Sequence, residues 1–103
     1  SRLVFPQIGL IIDLSTQEVV YGKKSVQLTP KEFSVLAVLA KHAPAIVSYP
    51  VIAQTVWGED VPEARKRTKY LVYLLRRKFQ QLVPDYELVL NVGRLGYKLQ
   101  TQP

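Results

Sequence analysis

One stretch has a two-sided pattern of apolar and polar positions. From Glu63 to Leu82 the chain reads EARKRTKYLVYLLRRKFQQL, with no glycine or proline inside. On a helix of 3.6 residues per turn, Thr68, Leu71, Val72, Leu75, Phe79 and Leu82 fall on one face. Lys66, Lys69, Tyr70, Tyr73 and Arg77 fall on the opposite face. The oily side predicts a core-facing helix over about 61–82. Asp60 and Glu63 have the spacing of a D-x-x-E capping box at its start.

The pattern ahead of this helix is of two kinds. Ile8 to Asp13, Glu18 to Tyr21 and Ser25 to Leu28 are rich in β-formers and separated by turn-like segments. An antiparallel meander over about 3–28 is expected, with Leu3 to Phe5 as a further edge strand. Thr29, Pro30 and Glu32 then spell a T-x-x-E capping box with proline at the first helical position, opening a helix over about 30–42. Its apolar stripe is Phe33, Leu36, Ala37 and Ala40. Ser48 caps a shorter helix over about 49–57, which Gly58 ends. Ile52, Val56 and Trp57 are its expected buried side. After Pro84-Asp85, two β-rich runs flank Gly93-Arg94-Leu95-Gly96, predicting a hairpin over about 87–100.

Composition sharpens this picture. The chain has 103 residues, 48% hydrophobic and 21% charged, enough for one small domain with one core. The net charge of +6 is uneven: residues 64–103 hold nine basic and two acidic groups, residues 1–57 five and three. Between Ala64 and Lys78 there are seven Lys or Arg and no acidic residue. This asymmetry favours a polyanionic partner. A cationic, aromatic helix face suits a DNA major groove about 12 Å wide. An anionic membrane is a poorer match, because the folded core consumes the oily face. There is no cysteine, no signal peptide and no apolar run of membrane-spanning length, which fits a cytoplasmic protein.

Catalysis is not expected. His42 is the single histidine, and no nucleophile elbow, zinc-protease helix or nucleotide-binding glycine loop is present. Glu59, Asp60 and Glu63 read as caps, so no metal or other cofactor is expected.

The order sheet, helix, helix, helix, hairpin is that of a winged helix-turn-helix of the α+β class. At residue level Leu28-Thr29-Pro30-Lys31-Glu32-Phe33 resembles the first helix of OmpR/PhoB-type response-regulator effector domains. Val47-Ser48 with Val56-Trp57-Gly58-Glu59-Asp60 is similar to their second helix and following turn. Leu75-Arg76-Arg77-Lys78-Phe79 resembles the end of their recognition helix, and Asn91-Val92 with Gly96-Tyr97-Lys98-Leu99 their wing. The resemblance runs from Ile8 onward. It implies a transcription factor whose third helix enters the major groove and whose wing reaches the neighbouring minor groove. It also implies a preceding receiver domain, tandem homodimers on direct repeats, and a turn near Gly58, Glu59, Asp60 and Val61 that touches RNA polymerase. The chain departs from the family where Tyr73 and Leu74 replace two usual arginines, Leu71 replaces a frequent histidine, and the wing reads Gly93-Arg94 rather than Arg-Gly.

The candidate DNA contacts on the third helix are Arg65, Lys66, Arg67, Lys69, Tyr70, Tyr73, Arg76 and Arg77, with Lys78 as a further phosphate candidate. Arg94 and Lys98 are the candidates on the wing. Lys66, Arg67, Lys69 and Tyr70 lie in the half expected to read bases, the rest near phosphates. Tyr70 and Tyr73 suit a thymine methyl or a phosphate, and Tyr73 equally suits packing under the wing. Trp57 and Tyr97 are expected in the core. The alternative function is a protein-interaction module that uses Tyr70, Tyr73 and Leu74 as its patch.

Overall fold

The structure is a computed structural model describing all residues, Ser1–Pro103. Strands β1 (Arg2–Phe5), β2 (Leu10–Asp13), β3 (Val19–Tyr21) and β4 (Lys24–Val26) form an antiparallel sheet in sequence order. Leu10, Ile12, Val19, Tyr21 and Val26 alternate onto its inner face and are buried. Strand β1 starts one residue before its expected run, β2 and β3 are shorter than theirs, β4 is shifted towards Lys24, and a short 3-10 turn, Pro6–Ile8, replaces the expected start of β2.

Helix α1 (Pro30–His42) begins as expected. The Thr29 hydroxyl accepts from the Glu32 amide at 3.2 Å, and the Glu32 carboxylate accepts from the Thr29 amide at 2.9 Å. The same carboxylate oxygen, buried in the protein, accepts from Lys78 Nζ at 2.6 Å. Lys78 also donates to the Gln27 carbonyl at 2.8 Å. One cap therefore joins the β4–α1 connection, α1 and the far end of α3 (Ala64–Leu82).

Helix α2 (Tyr49–Trp57) is capped by the Ser48 hydroxyl and closed by Gly58 at φ 79°. Ile52 and Ala53 are buried, while Val56 and Trp57 reach only the rim of the core. Trp57 thus departs from its expected core place. Its ring lies 5.9 Å from the Lys31 ammonium, which covers it at the surface.

The start of α3 is a second departure. The helix begins at Ala64, and Asp60 does not cap it. Its first flanking residue is Glu63, at φ 60°, with no side-chain cap. The cause is Pro62, whose ring disfavours helical geometry at Val61 and so delays the helix. From Thr68 onward the expected face is inside: Thr68, Leu71, Val72, Leu75 and Phe79 are buried, and Leu82, at the helix end, is half-buried against the core. Phe79 meets Tyr21 of the N-terminal sheet edge-on at 5.3 Å.

The second sheet holds a strand that periodicity does not reveal. Strands β6 (Val89–Val92) and β7 (Gly96–Leu99) form the hairpin, and β5 (Val47–Ser48) pairs with the outer side of β7. Gly96 sits opposite Ser48, and a Cβ there would lie 2.0 Å from the Val47 carbonyl oxygen. Only glycine admits that approach. Tyr97 is buried, as expected, and meets Tyr49 edge-on at 5.6 Å.

Two measurements test this architecture. Gly96→Ala is expected to lower unfolding free energy by about 3 kcal/mol in urea titration, because the intruding methyl meets backbone. Burial holds the Tyr21 hydroxyl up to about 12 and, with help from Tyr49, that of Tyr97 up to about 12. The unfolded chain releases these protons first, near the ordinary tyrosine value of about 10. The stability they confer is complete below that pH, and the urea midpoint is expected to fall as pH rises from about 10 towards 12.

Candidate nucleic-acid interface

The two faces of α3 differ in everything but their backbone. Opposite the buried stripe Lys66, Tyr70, Tyr73 and Arg77 are exposed, and Arg65, Arg67 and Lys69 are exposed on its flanks. Lys66, Tyr70, Tyr73 and Arg77 fall within about 60° of one another around the helix, forming a ridge of roughly 16 Å. The Tyr70 and Tyr73 rings stack with centroids 6.5 Å apart and planes at 24°. The Arg77 guanidinium stands 5.9 Å from the Tyr73 ring. Tyr73 therefore does not pack under the wing. Leu74, beside the ridge, is half-buried.

Arg65 leans the other way. Its guanidinium lies 5.3 Å from the ring of Tyr49, which opens α2. Tyr49 is itself buried against Tyr97, and its hydroxyl accepts from Asn91 Nδ2 at 3.4 Å. Its amide donates to the Leu95 carbonyl at 3.1 Å. Tyr49 thus fixes the distance between the start of α3 and the hairpin tip. The pattern reading missed it; the signal available was an aromatic residue directly after a cap and before Pro50.

The hairpin tip carries Arg94, exposed between Gly93 at φ 52° and Leu95. Lys98 is half-buried on β7, opposite Leu90. Between the tip and α3 lies an open cleft of about 370 Å³, lined by Tyr49, Pro50, Asp60, Val61, Arg65 and Arg94. It separates two cationic edges, one on the helix and one on the hairpin. The turn before α3 presents Gly58, Glu59 and Asp60 to solvent, with Val61 half-buried.

Two of the candidate cations serve the protein instead. Arg76 donates from Nε and Nη2 to the Val89 carbonyl at 3.2 and 2.8 Å, and its guanidinium lies 5.8 Å from the Tyr97 ring. It clamps β6 and β7 against α3, with two of its donors committed to the protein. Lys78 is likewise taken by Glu32 and Gln27. Both lie towards the flanks of the ridge, where a long side chain can fold back onto a neighbouring element.

The family described as "Transcriptional regulatory protein, C terminal" matches residues 22–99. The chain therefore belongs to this family of winged-helix effector domains, of the OmpR/PhoB type, in transcriptional regulators. Among curated relatives, the transcriptional regulatory protein CutR of Streptomyces coelicolor is 31% identical over 96 residues, covering 93% of this chain and 42% of its own length. The regulatory protein VanR of Enterococcus faecium is 28% identical over 93 residues, covering 89% and 40%. The chain thus spans about two-fifths of these relatives. In fold it matches the Klebsiella pneumoniae RstA DNA-binding domain, solved in complex with the RstA box, at a TM-score of 0.85, 22% identity and 99% coverage of both chains. It also matches the DNA-binding domain of CpxR from E. coli at 0.82 and 23%, covering 96% of this chain and 95% of that one.

The clamp predicts a contrast between adjacent arginines. Arg76→Ala is expected to cost about 2 kcal/mol of stability, from loss of charge-assisted hydrogen bonds to a backbone carbonyl. Arg77→Ala is expected to stay within about 1 kcal/mol, because its contact with Tyr73 is exposed. Parallel urea unfolding of the two variants checks this.

Proposed function

We propose that this chain binds double-stranded DNA sequence-specifically, with α3 in the major groove and the β6–β7 turn at the adjacent minor groove. One observation carries the reading: α3 is anchored along one face and bare along the other, and the bare face is cationic from Arg65 to Lys69. Lys66, Arg67, Lys69 and Tyr70 reach base edges. Arg65 and Arg77 take phosphates at the groove walls, and Tyr73 continues the ridge. Arg94, at a narrow glycine-flanked tip, enters the minor groove, where negative potential is enhanced. Lys98 supports it from the strand with a phosphate contact. The RstA complex and the AdeR DNA-binding domain, solved with an intercistronic region at a TM-score of 0.76, lend support through their shared fold.

In the whole protein this domain is the output end of a response regulator. A receiver domain precedes it, as the length of the relatives suggests. Two copies bind side by side on repeated half-sites, and the turn Gly58, Glu59, Asp60 and Val61 faces RNA polymerase. Membership of this family of regulators supports a cytoplasmic setting.

Binding to a duplex selected from a random pool should weaken steeply with salt. Each phosphate neutralised contributes a log–log slope of about −0.9, and a total of roughly −4 or steeper is expected. The double variant Lys66→Glu/Arg67→Glu should lose that binding in a mobility-shift assay while keeping its fold. Parent-like affinity in this variant would show that α3 is not the reading element.

A further inference from the structure

The ridge on α3 carries information beyond charge. Its ends are cations, Lys66 and Arg77, but its middle is a pair of phenol rings. Tyr70 and Tyr73 are 62% and 53% exposed, far from the burial usual for aromatic side chains in a small domain. They are also pre-arranged. The rings stack on each other, and Arg77 lies against the outer one. A pair already stacked and braced loses less side-chain freedom on binding than two independent rings would.

Chemistry narrows what such a pair can read. A phenol ring cannot make the two-pronged contact by which arginine selects guanine or asparagine selects adenine. Among the groups that base pairs present in the major groove, one is apolar, the C5 methyl of thymine. The ring spacing of 6.5 Å is close to the axial rise of two base-pair steps at about 3.4 Å each, and exposed rings at the ends of two side chains can splay to follow the twist between them.

We propose that the stacked Tyr70–Tyr73 pair reads two thymine methyl groups about two base-pair steps apart in the major groove. This rests on the reading of α3 as the groove-entering helix and adds the class of sequence that it selects. The neutral centre of the ridge chooses thymine, and the flanking cations hold the duplex. The tyrosine and leucine that replace two arginines at positions 73 and 74 then change what is read, since the cations of the N-terminal half still supply attraction.

The test uses the 103-residue chain and a duplex it selects from an unmethylated random pool, in which thymine is the sole source of C5 methyls. Thymines are expected at two positions two steps apart. Replacing each by deoxyuridine, which removes only the methyl, should weaken binding about fourfold per methyl. Tyr70→Phe/Tyr73→Phe should retain the preference for thymine over uracil. Tyr70→Ala/Tyr73→Ala should bind about sixteenfold more weakly, the loss of both methyl contacts, and lose that preference. Four results would overturn the inference while leaving DNA binding intact: no thymine requirement in the selected sites, no effect of deoxyuridine, an unchanged uracil penalty in the alanine variant, or loss of binding in the phenylalanine variant equal to that in the alanine variant. The last would assign the tyrosines to phosphate through their hydroxyls. If the parent chain selects no duplex, the groove-entering reading of α3 fails, and with it this inference.

Discussion

The buried stripe of α3 is the constraint on which everything else turns. Val72, Leu75 and Phe79 are in the core, and Thr68 begins the stripe one turn earlier. Full burial of large apolar side chains contributes about 1.5–3 kcal/mol each, so rotation of the helix about its axis would forfeit several such terms. The cationic ridge is outward because the apolar stripe is inward. No interaction of the ridge residues themselves is needed to aim them.

Around that stripe, three polar contacts locate the helix along its length and against its neighbours. In the C-terminal half Glu32 holds Lys78 and Arg76 grips the Val89 carbonyl, and Tyr49 lies under Arg65 at the start. The second of these ties the hairpin to the helix. The third, through the bond from the Tyr49 amide to Leu95, relates the hairpin tip to the N-terminal turn of α3. Gly96 completes the arrangement by letting β5 approach β7 more closely than any side chain would permit. Helix and hairpin are therefore tied to one another at both ends, with an open cleft between their cationic edges.

How much of this could be read from the chain depended on the range of each interaction. The Thr29–Glu32 box was legible because both partners lie within four residues. The same logic failed at Asp60, where Pro62 intervened and only its steric effect on Val61 decides where the helix starts. The amphipathic period of α3 placed its inner face correctly, since burial acts on the whole stripe at once. Periodicity could not show that Arg76 and Lys78 fold back, because their acceptors lie 13 and 46 residues away in sequence. Strand β5 has two residues, too few for any alternation to register, and Trp57 looked like core because a hydropathy pattern cannot weigh a lysine that covers it from another helix.

Helix α3 divides its labour along its length. As far as Tyr73 it exposes Lys66, Lys69, Tyr70 and Tyr73 to solvent, while Arg76, Lys78 and Phe79 further on are bound into the body. Lys66, Tyr70 or Tyr73 can therefore be exchanged one at a time without endangering the scaffold. The helix is thus a fixed handle with an interchangeable outer face, and what that face meets can change while the architecture that holds it stays the same.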